Sequence, residues 1–236
     1  MKFKRNKAQL TENLGSREEW KGWWESYGSY RLRPGNHLWL CGGDEVHVHS
    51  IDGVNESLIE PVVEGAQSLL DDAGMVFRAI DKGYNADLDC FIKSWMEHSK
   101  IDTYIGDEIN DRRQESGNTH ADIVLMPFHL YQGKSCPTWA WGAGCHVQGC
   151  AFIYLPGDRQ EDRNRDFIRK VAKHETWHLL TGPEHTHVYG VEGYDDVPDC
   201  ITLPGCSTMD ICEKCMDALK SYWKSLEANM GKKYFR

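Results

Sequence analysis

The sequence predicts an α+β fold: a small mixed β-sheet, a long internal helix against it, and a Cys-rich C-terminal lobe that ends in a helix. Three observations lead there. Apolar runs of strand length occur at 45–51, 121–128 and 145–155. Apolar residues recur at helical spacing over 55–73, 162–181 and 213–230. Between the last two, residues 183–211 are rich in Gly, Pro and Asp and lack periodicity. Three segments follow: an N-terminal helical extension over 1–40, an upper lobe over 41–182 that closes with the long helix, and a lower lobe over 183–236.

Ser16-Arg17-Glu18-Glu19 reads as a capping box, and Trp20, Trp23, Trp24 and Tyr27 follow it as an apolar helical stripe, best explained as core. After the break at Arg33-Pro34-Gly35-Asn36, His37–Leu40 and Glu45–Ile51 have strand character. In the second of these His47 and His49 share one face. They read as a solvated strand face, because no third ligand lies nearby in sequence. Asn55–Ala73 is an amphipathic helix with Pro61 in its first turn, where an amide has no intrahelical partner, and with Gly74 as its stop.

Met75–Ile80 is a short strand candidate, and Ala121–Phe128 is apolar enough to be buried on both faces. Cys145–Leu155 is another strand. Cys136, Cys145 and Cys150 match no known finger, so buried thiols are preferred to a metal site shared with His146. The last helix, Glu213–Met230, presents Leu219, Tyr222, Trp223, Leu226 and Met230 to a core.

The 236 residues are 40% hydrophobic and 27% charged, which supports a sizeable core and excludes disorder and low complexity. Lys and Arg total 27 against 36 Asp and Glu, a net charge of −9, so nucleic acid and anionic membrane are not expected partners. The first 14 residues lack an apolar stretch, and no window approaches the roughly 18 apolar residues of a spanning helix. Together with nine cysteines, an odd number, this points to a cytoplasmic protein whose thiols bind metal or stay reduced. Gly142-Ala143-Gly144 has no phosphate-loop pattern, which removes nucleotide binding.

His174-Glu175-Thr176-Trp177-His178 is an H-E-x-x-H motif inside the long helix. Residues four apart project from one turn-aligned face, so His174 and His178 can grip one Zn²⁺, while Glu175 stands beside them as a proton acceptor. Gly182 can then turn the chain sharply, and His185 follows to complete a His₃ site with an open fourth position. Glu184 and His187 are the alternatives for that third ligand. Further on, Cys200, Cys206, Cys212 and Cys215 form C-x₅-C-x₅-C-x₂-C, which can wrap a tetrahedral Zn–S₄ site and order the Gly/Pro-rich segment. Four reduced thiols or a disulfide are the other readings.

These motifs resemble the signature of metzincin zinc metallopeptidases, H-E-x-x-H-x-x-G-x-x-H followed by a methionine-containing turn. Here Leu179-Leu180-Thr181 makes the gap before the glycine three residues instead of two. Cys200, Cys206, Met209, Cys212 and Cys215 follow in the order found in the archaemetzincin branch, with altered spacing: 14 residues separate His185 from Cys200, and two separate Met209 from Cys212. The resemblance covers residues 174–215. It implies a metzincin-like fold, a structural zinc on the four cysteines and Met209 as the packing floor beneath the catalytic zinc. It further implies that Trp139–Cys150 lines the cleft beside extended substrate. Tyr189 and Tyr194 are candidates to supply a hydroxyl near the oxyanion, although loop tyrosines usually have no such role.

The expected activity is peptide-bond hydrolysis by a zinc-bound water that Glu175 deprotonates, with two Zn²⁺ per chain, one catalytic and one structural. The enzyme would be a metalloendopeptidase or an aminopeptidase-like hydrolase, its partner a peptide or protein substrate. Two other readings stand beside it: a zinc hydrolase of a non-peptide amide, and a non-catalytic, zinc-stabilised interaction module.

Overall fold

A computed structural model of the chain describes residues 43–98, 109, 112, 115–116, 120–128, 142–145, 149–155, 164–181, 200–202 and 208–236. The extension over 1–40, with its tryptophan stripe and the strand candidate His37–Leu40, lies outside the described residues.

Strand β1 (Glu45–Ser50) leads through a 3₁₀ turn (Glu56–Leu58) into α1 (Ile59–Ala73), then β2 (Arg78–Tyr84), α2 (Ala86–His98) and β3 (Ala121–Met126). β4 (Gly142–Cys145), β5 (Cys150–Tyr154), α3 (Arg165–Thr181) and α4 (Glu213–Met230) complete the described elements. The sheet order is β2-β1-β3-β5-β4, with β1, β2, β3 and β5 parallel and β4 antiparallel to β5 at one edge.

The sheet is mixed, as expected. Its first half nevertheless alternates strand and helix in the α/β manner instead of segregating them, because parallel neighbours require a crossover connection. Helix α2 was not foreseen in the sequence. Asn85 starts it, its side-chain oxygen accepting from the Leu88 N–H at 3.0 Å and its carbonyl from the Asp89 N–H at 2.9 Å.

Alternation divides the sheet into two buried faces. Val46 and Val48 of β1, Ile123 and Leu125 of β3, and Ala151 and Ile153 of β5 share one core with Val62, Ala66 and Leu69 of α1, Ile168 and Ala172 of α3, and Leu219 and Trp223 of α4. Ile51, Val124, Met126, Phe152 and Tyr154 form the other core with Ile92 of α2 and Ile109. Every residue of β3 is buried, which is why its run reads as continuously apolar.

Two strand expectations shift. Met75 and Phe77 are buried, but ahead of the ladder: Met75 bridges to Phe235, and Phe77 packs edge-on against Trp223 and stacks with Tyr234. Their apolarity serves the helical core and the C-terminal segment, so β2 begins only at Arg78. Cys145–Leu155 is not one strand but part of a hairpin, in which Cys145 pairs with Cys150 and Gly149 takes a φ of 62°.

Helix α1 stops at Gly74, whose φ of 71° brings its N–H to the Asp71 carbonyl and the Met75 N–H to the Leu70 carbonyl, each at 2.9 Å. Across from it lies α3. A Cβ on Gly65 would stand 2.3 Å from the Arg169 carbonyl oxygen and 2.8 Å from the Ala172 Cβ, so only glycine permits this approach. The buried Lys173 ammonium reaches Asp72 at 2.5 Å, and the Trp223 indole N–H donates to the Leu180 carbonyl at 3.1 Å, tying α4 to the end of α3.

At the opposite edge from β4, β2 carries Arg78, Asp81 and Lys82 exposed. The register to β1 slips after Val48, and Gly83, at φ 64°, donates its N–H to the Asp81 carboxylate at 2.7 Å. Among the described residues, no helix is long and apolar enough to cross a membrane.

Adding a methyl at Gly65 gains roughly 1 kcal/mol of helix propensity but overpacks a backbone contact, at about 1–3 kcal/mol or more. Gly65→Ala is expected to lower the Tm measured by calorimetry by several degrees. An unchanged or higher Tm would mean that α1 and α3 separate at no cost.

Candidate functional site

The H-E-x-x-H motif, His174 to His178, lies on α3. The Nε2 atoms of His174 and His178 stand 3.1 Å apart, with the rings nearly perpendicular at 81°. The Nδ1 of His174 lies 2.6 Å from the Ile201 carbonyl oxygen. A carbonyl only accepts, so Nδ1 carries the proton and Nε2 presents its lone pair toward His178. Burial holds the His174 imidazole below its ordinary pKa, in the neutral form that ligates metals.

Glu175 is buried, and burial alone pushes its carboxyl up to about 8. Its Oε2 has no hydrogen-bond partner among the described residues. An unpaired buried carboxylate oxygen is costly, and native proteins keep such groups chiefly where a water, an ion or a reacting group meets them.

Three of the four motif cysteines converge. The sulfurs of Cys200, Cys212 and Cys215 lie within 4.8 Å of one another. The Thr202 hydroxyl sits 3.3 Å from the Cys200 Sγ and 3.4 Å from that of Cys215, and the Cys212 N–H donates to Cys200 at 3.3 Å. Hydrogen bonds from Cys215 foremost, then from the Cys212 amide and Thr202, hold the Cys200 thiol well below the ordinary thiol range against the opposing effect of burial. Thiolate is the metal-binding form, and convergent thiolates suit zinc.

The two clusters meet at one residue. Ile201, next to Cys200, accepts from His174 with its carbonyl and donates its N–H to the Asp210 carbonyl at 2.7 Å. Met209 is half-buried in that same short stretch. His185 and its alternatives Glu184 and His187 lie outside the described residues, as do Cys206, Cys136, His146, Tyr189 and Tyr194. Cys150 is buried in the α2-side core.

The reading of His47 and His49 as a solvated strand face is overturned. His49 is only 7% exposed, and the partners come from β3, not from nearby sequence. His47 stands beside Asp122 in the parallel ladder, and His49 and His120 sit two residues along their chains from this pair. His49 and His120 each place Nε2 3.2 Å from the same oxygen, Asp122 Oδ1. His47 stacks on His120 with centroids 3.8 Å apart, and its Nε2 lies 2.7 Å from Glu45 Oε2. The signal in the sequence was a pair of matching two-residue spacings, His-x-His and His-x-Asp, on two strand candidates.

No family model matches the chain, and no curated protein matches it. Among solved structures, the chain is similar to a zinc-dependent peptidase from Methanocorpusculum labreanum (strain Z), at 20% sequence identity and a TM-score of 0.40, over 74% of this chain and 99% of that one.

If the thiol cluster holds a metal, removing one buried sulfur should release it. Cys215→Ser is expected to lower the zinc content by one per chain and the Tm by several degrees, read by elemental analysis and calorimetry. An unchanged zinc count would leave the three thiols as a reduced packing cluster.

Proposed function

We propose that the protein is a zinc-dependent peptidase of metzincin type, with its reaction centre on α3. The observation that carries this reading is the convergence of the His174 and His178 Nε2 atoms at 3.1 Å beside the buried carboxyl of Glu175, whose Oε2 has no partner among the described residues. The donor set fits zinc: with Zn–N bonds of about 2.0–2.1 Å, two ligands of a tetrahedral site lie about 3.3 Å apart. Zinc held there would supply Lewis acidity, polarising a substrate carbonyl and acidifying water at the open position.

The chain's own groups would do the rest. His174 is oriented by the Ile201 carbonyl, so its lone pair needs no rearrangement to ligate. His185 is proposed as the third ligand, contributed by the segment after α3. Glu175, whose buried carboxyl would ionise beside a bound zinc cation, takes the proton from the attacking water and passes it to the leaving amine. Substrate would lie along β4, which among the described residues ends the sheet antiparallel to β5 and offers an edge for an extended backbone.

Cys200, Cys212 and Cys215, with Cys206, are proposed as a second, structural zinc site, giving two Zn²⁺ per chain at these motifs. Met209 would underlie the reaction centre from the stretch that Asp210 ties to Ile201. A closed, non-catalytic zinc module leaves the buried Glu175 carboxylate without a use, which favours the enzyme over that reading.

Glu175→Gln is expected to keep the zinc content and cost about 10²–10⁴-fold in turnover, measured by mass spectrometry on a panel of cellular peptides. Retained activity would remove Glu175 from its role, and products from non-peptide amides alone would move the enzyme to another hydrolase class. His174→Ala and His178→Ala should each release one zinc per chain; unchanged metal content would refute the α3 site.

A further inference from the structure

The sheet face turned away from α3 carries the second donor cluster, and its chemistry is unused by the peptidase reading. We propose that His47, His49, His120 and Asp122 form a separate zinc site that pins β1 to β3.

The residue types suit the ion. Three imidazoles and one carboxylate are a borderline-soft N/O donor set, favourable for zinc and poor for Mg²⁺ or Ca²⁺, which take oxygen ligands. The spacing suits it as well. The Nε2 atoms of His49 and His120 each lie 3.2 Å from Asp122 Oδ1, close to the roughly 3.3 Å ligand-to-ligand edge of a tetrahedral zinc site. One ligand atom from each of the four residues lies within 4.8 Å of the other three.

The scaffold is rigid where it matters. His47, His49 and Asp122 sit in a hydrogen-bonded parallel ladder, so three of the four donors are placed by strand register, and His120 directly precedes β3. Asp122 and His49 are buried at 8% and 7% exposure, and Asn85, at the start of α2, contacts the His49 Nδ1 at 3.4 Å. Three neutral imidazoles and one carboxylate leave a divalent ion one positive charge in excess. Glu45, already 2.7 Å from His47 and paired with Arg78 at 3.4 Å, lies close enough to offset it.

Four protein donors fill a tetrahedral shell and leave no open position for water or substrate, so the site is structural. It would act on the α2 side of the sheet, independently of the thiols and of α3.

The test uses the full chain, loaded with zinc and dialysed against metal-free buffer, with zinc counted per chain. His49→Ala and His120→Ala should each hold one zinc fewer than wild type, whereas His174→Ala should retain this zinc and lose its own. The two assignments therefore fail separately. Equal zinc in wild type and in folded His49→Ala and His120→Ala would leave the four residues as a hydrogen-bonded cluster and overturn the proposal.

Cobalt(II) provides the second reading, which also decides the matter if His49→Ala does not fold. In His174→Ala, one bound equivalent should show visible d–d bands without thiolate-to-cobalt charge transfer in the near ultraviolet, and should disappear when His120→Ala is added. Absence of that equivalent, or a lost signal that carries charge transfer and so belongs to the thiols, would equally overturn it.

Discussion

The hydrogen bond from the His174 imidazole to the Ile201 carbonyl joins parts of the chain that the sheet does not connect. On one side stands α3, fixed against α1 by the close approach of Gly65 to Arg169 and by Lys173 on Asp72. On the other stands a short stretch with little core of its own, held by the Cys200, Cys212 and Cys215 cluster and by Ile201 on Asp210. A ligand imidazole is useful only when its ring is oriented and its tautomer set. Here both properties are supplied from the cysteine side, so the stability of the thiol cluster and the geometry of the candidate reaction centre are one problem.

The sheet divides the molecule's polar chemistry as it divides the cores. Helices α1, α3 and α4 cover one face, where His174, Glu175 and His178 belong to α3. Helix α2 covers the other, where His47, His49, His120 and Asp122 interrupt an otherwise apolar row. Because neighbouring residues on a strand point to opposite faces, a polar residue on one side leaves the packing of the other untouched. Val46 and Val48 stay in the α1-side core while His47 and His49 gather on the reverse.

What was legible in the sequence follows from how local each feature is. The pairing of His174 with His178 needs only the pitch of a helix, and the ends of α1 and α4 are set by the left-handed glycines Gly74 and Gly231, whereas the expected start at Asn55 gives way to a 3₁₀ turn before α1 begins at Ile59. Met75 and Phe77 are apolar for a reason that lies at the other end of the chain, in Trp223 and Tyr234, so the start of β2 could not be placed from the run alone. His49 and Asp122 are 73 residues apart and meet only through the register of β1 on β3, which no single window contains. Helix α2 was hidden by the charged residues of its first turn, Asp87 and Asp89, which look like loop but favour a helix N-terminus.

The outer strand β2 has a consequence for how this molecule behaves in a crowd. An uncapped row of backbone donors and acceptors invites a neighbouring copy to dock edge to edge, and repeated docking builds fibres. At β2, a second copy would meet Arg78, Asp81 and Lys82, a slipped register, and a left-handed glycine whose amide the Asp81 carboxylate already holds. Among the described residues, this charge and the slipped register make the β2 border a poor template for such growth.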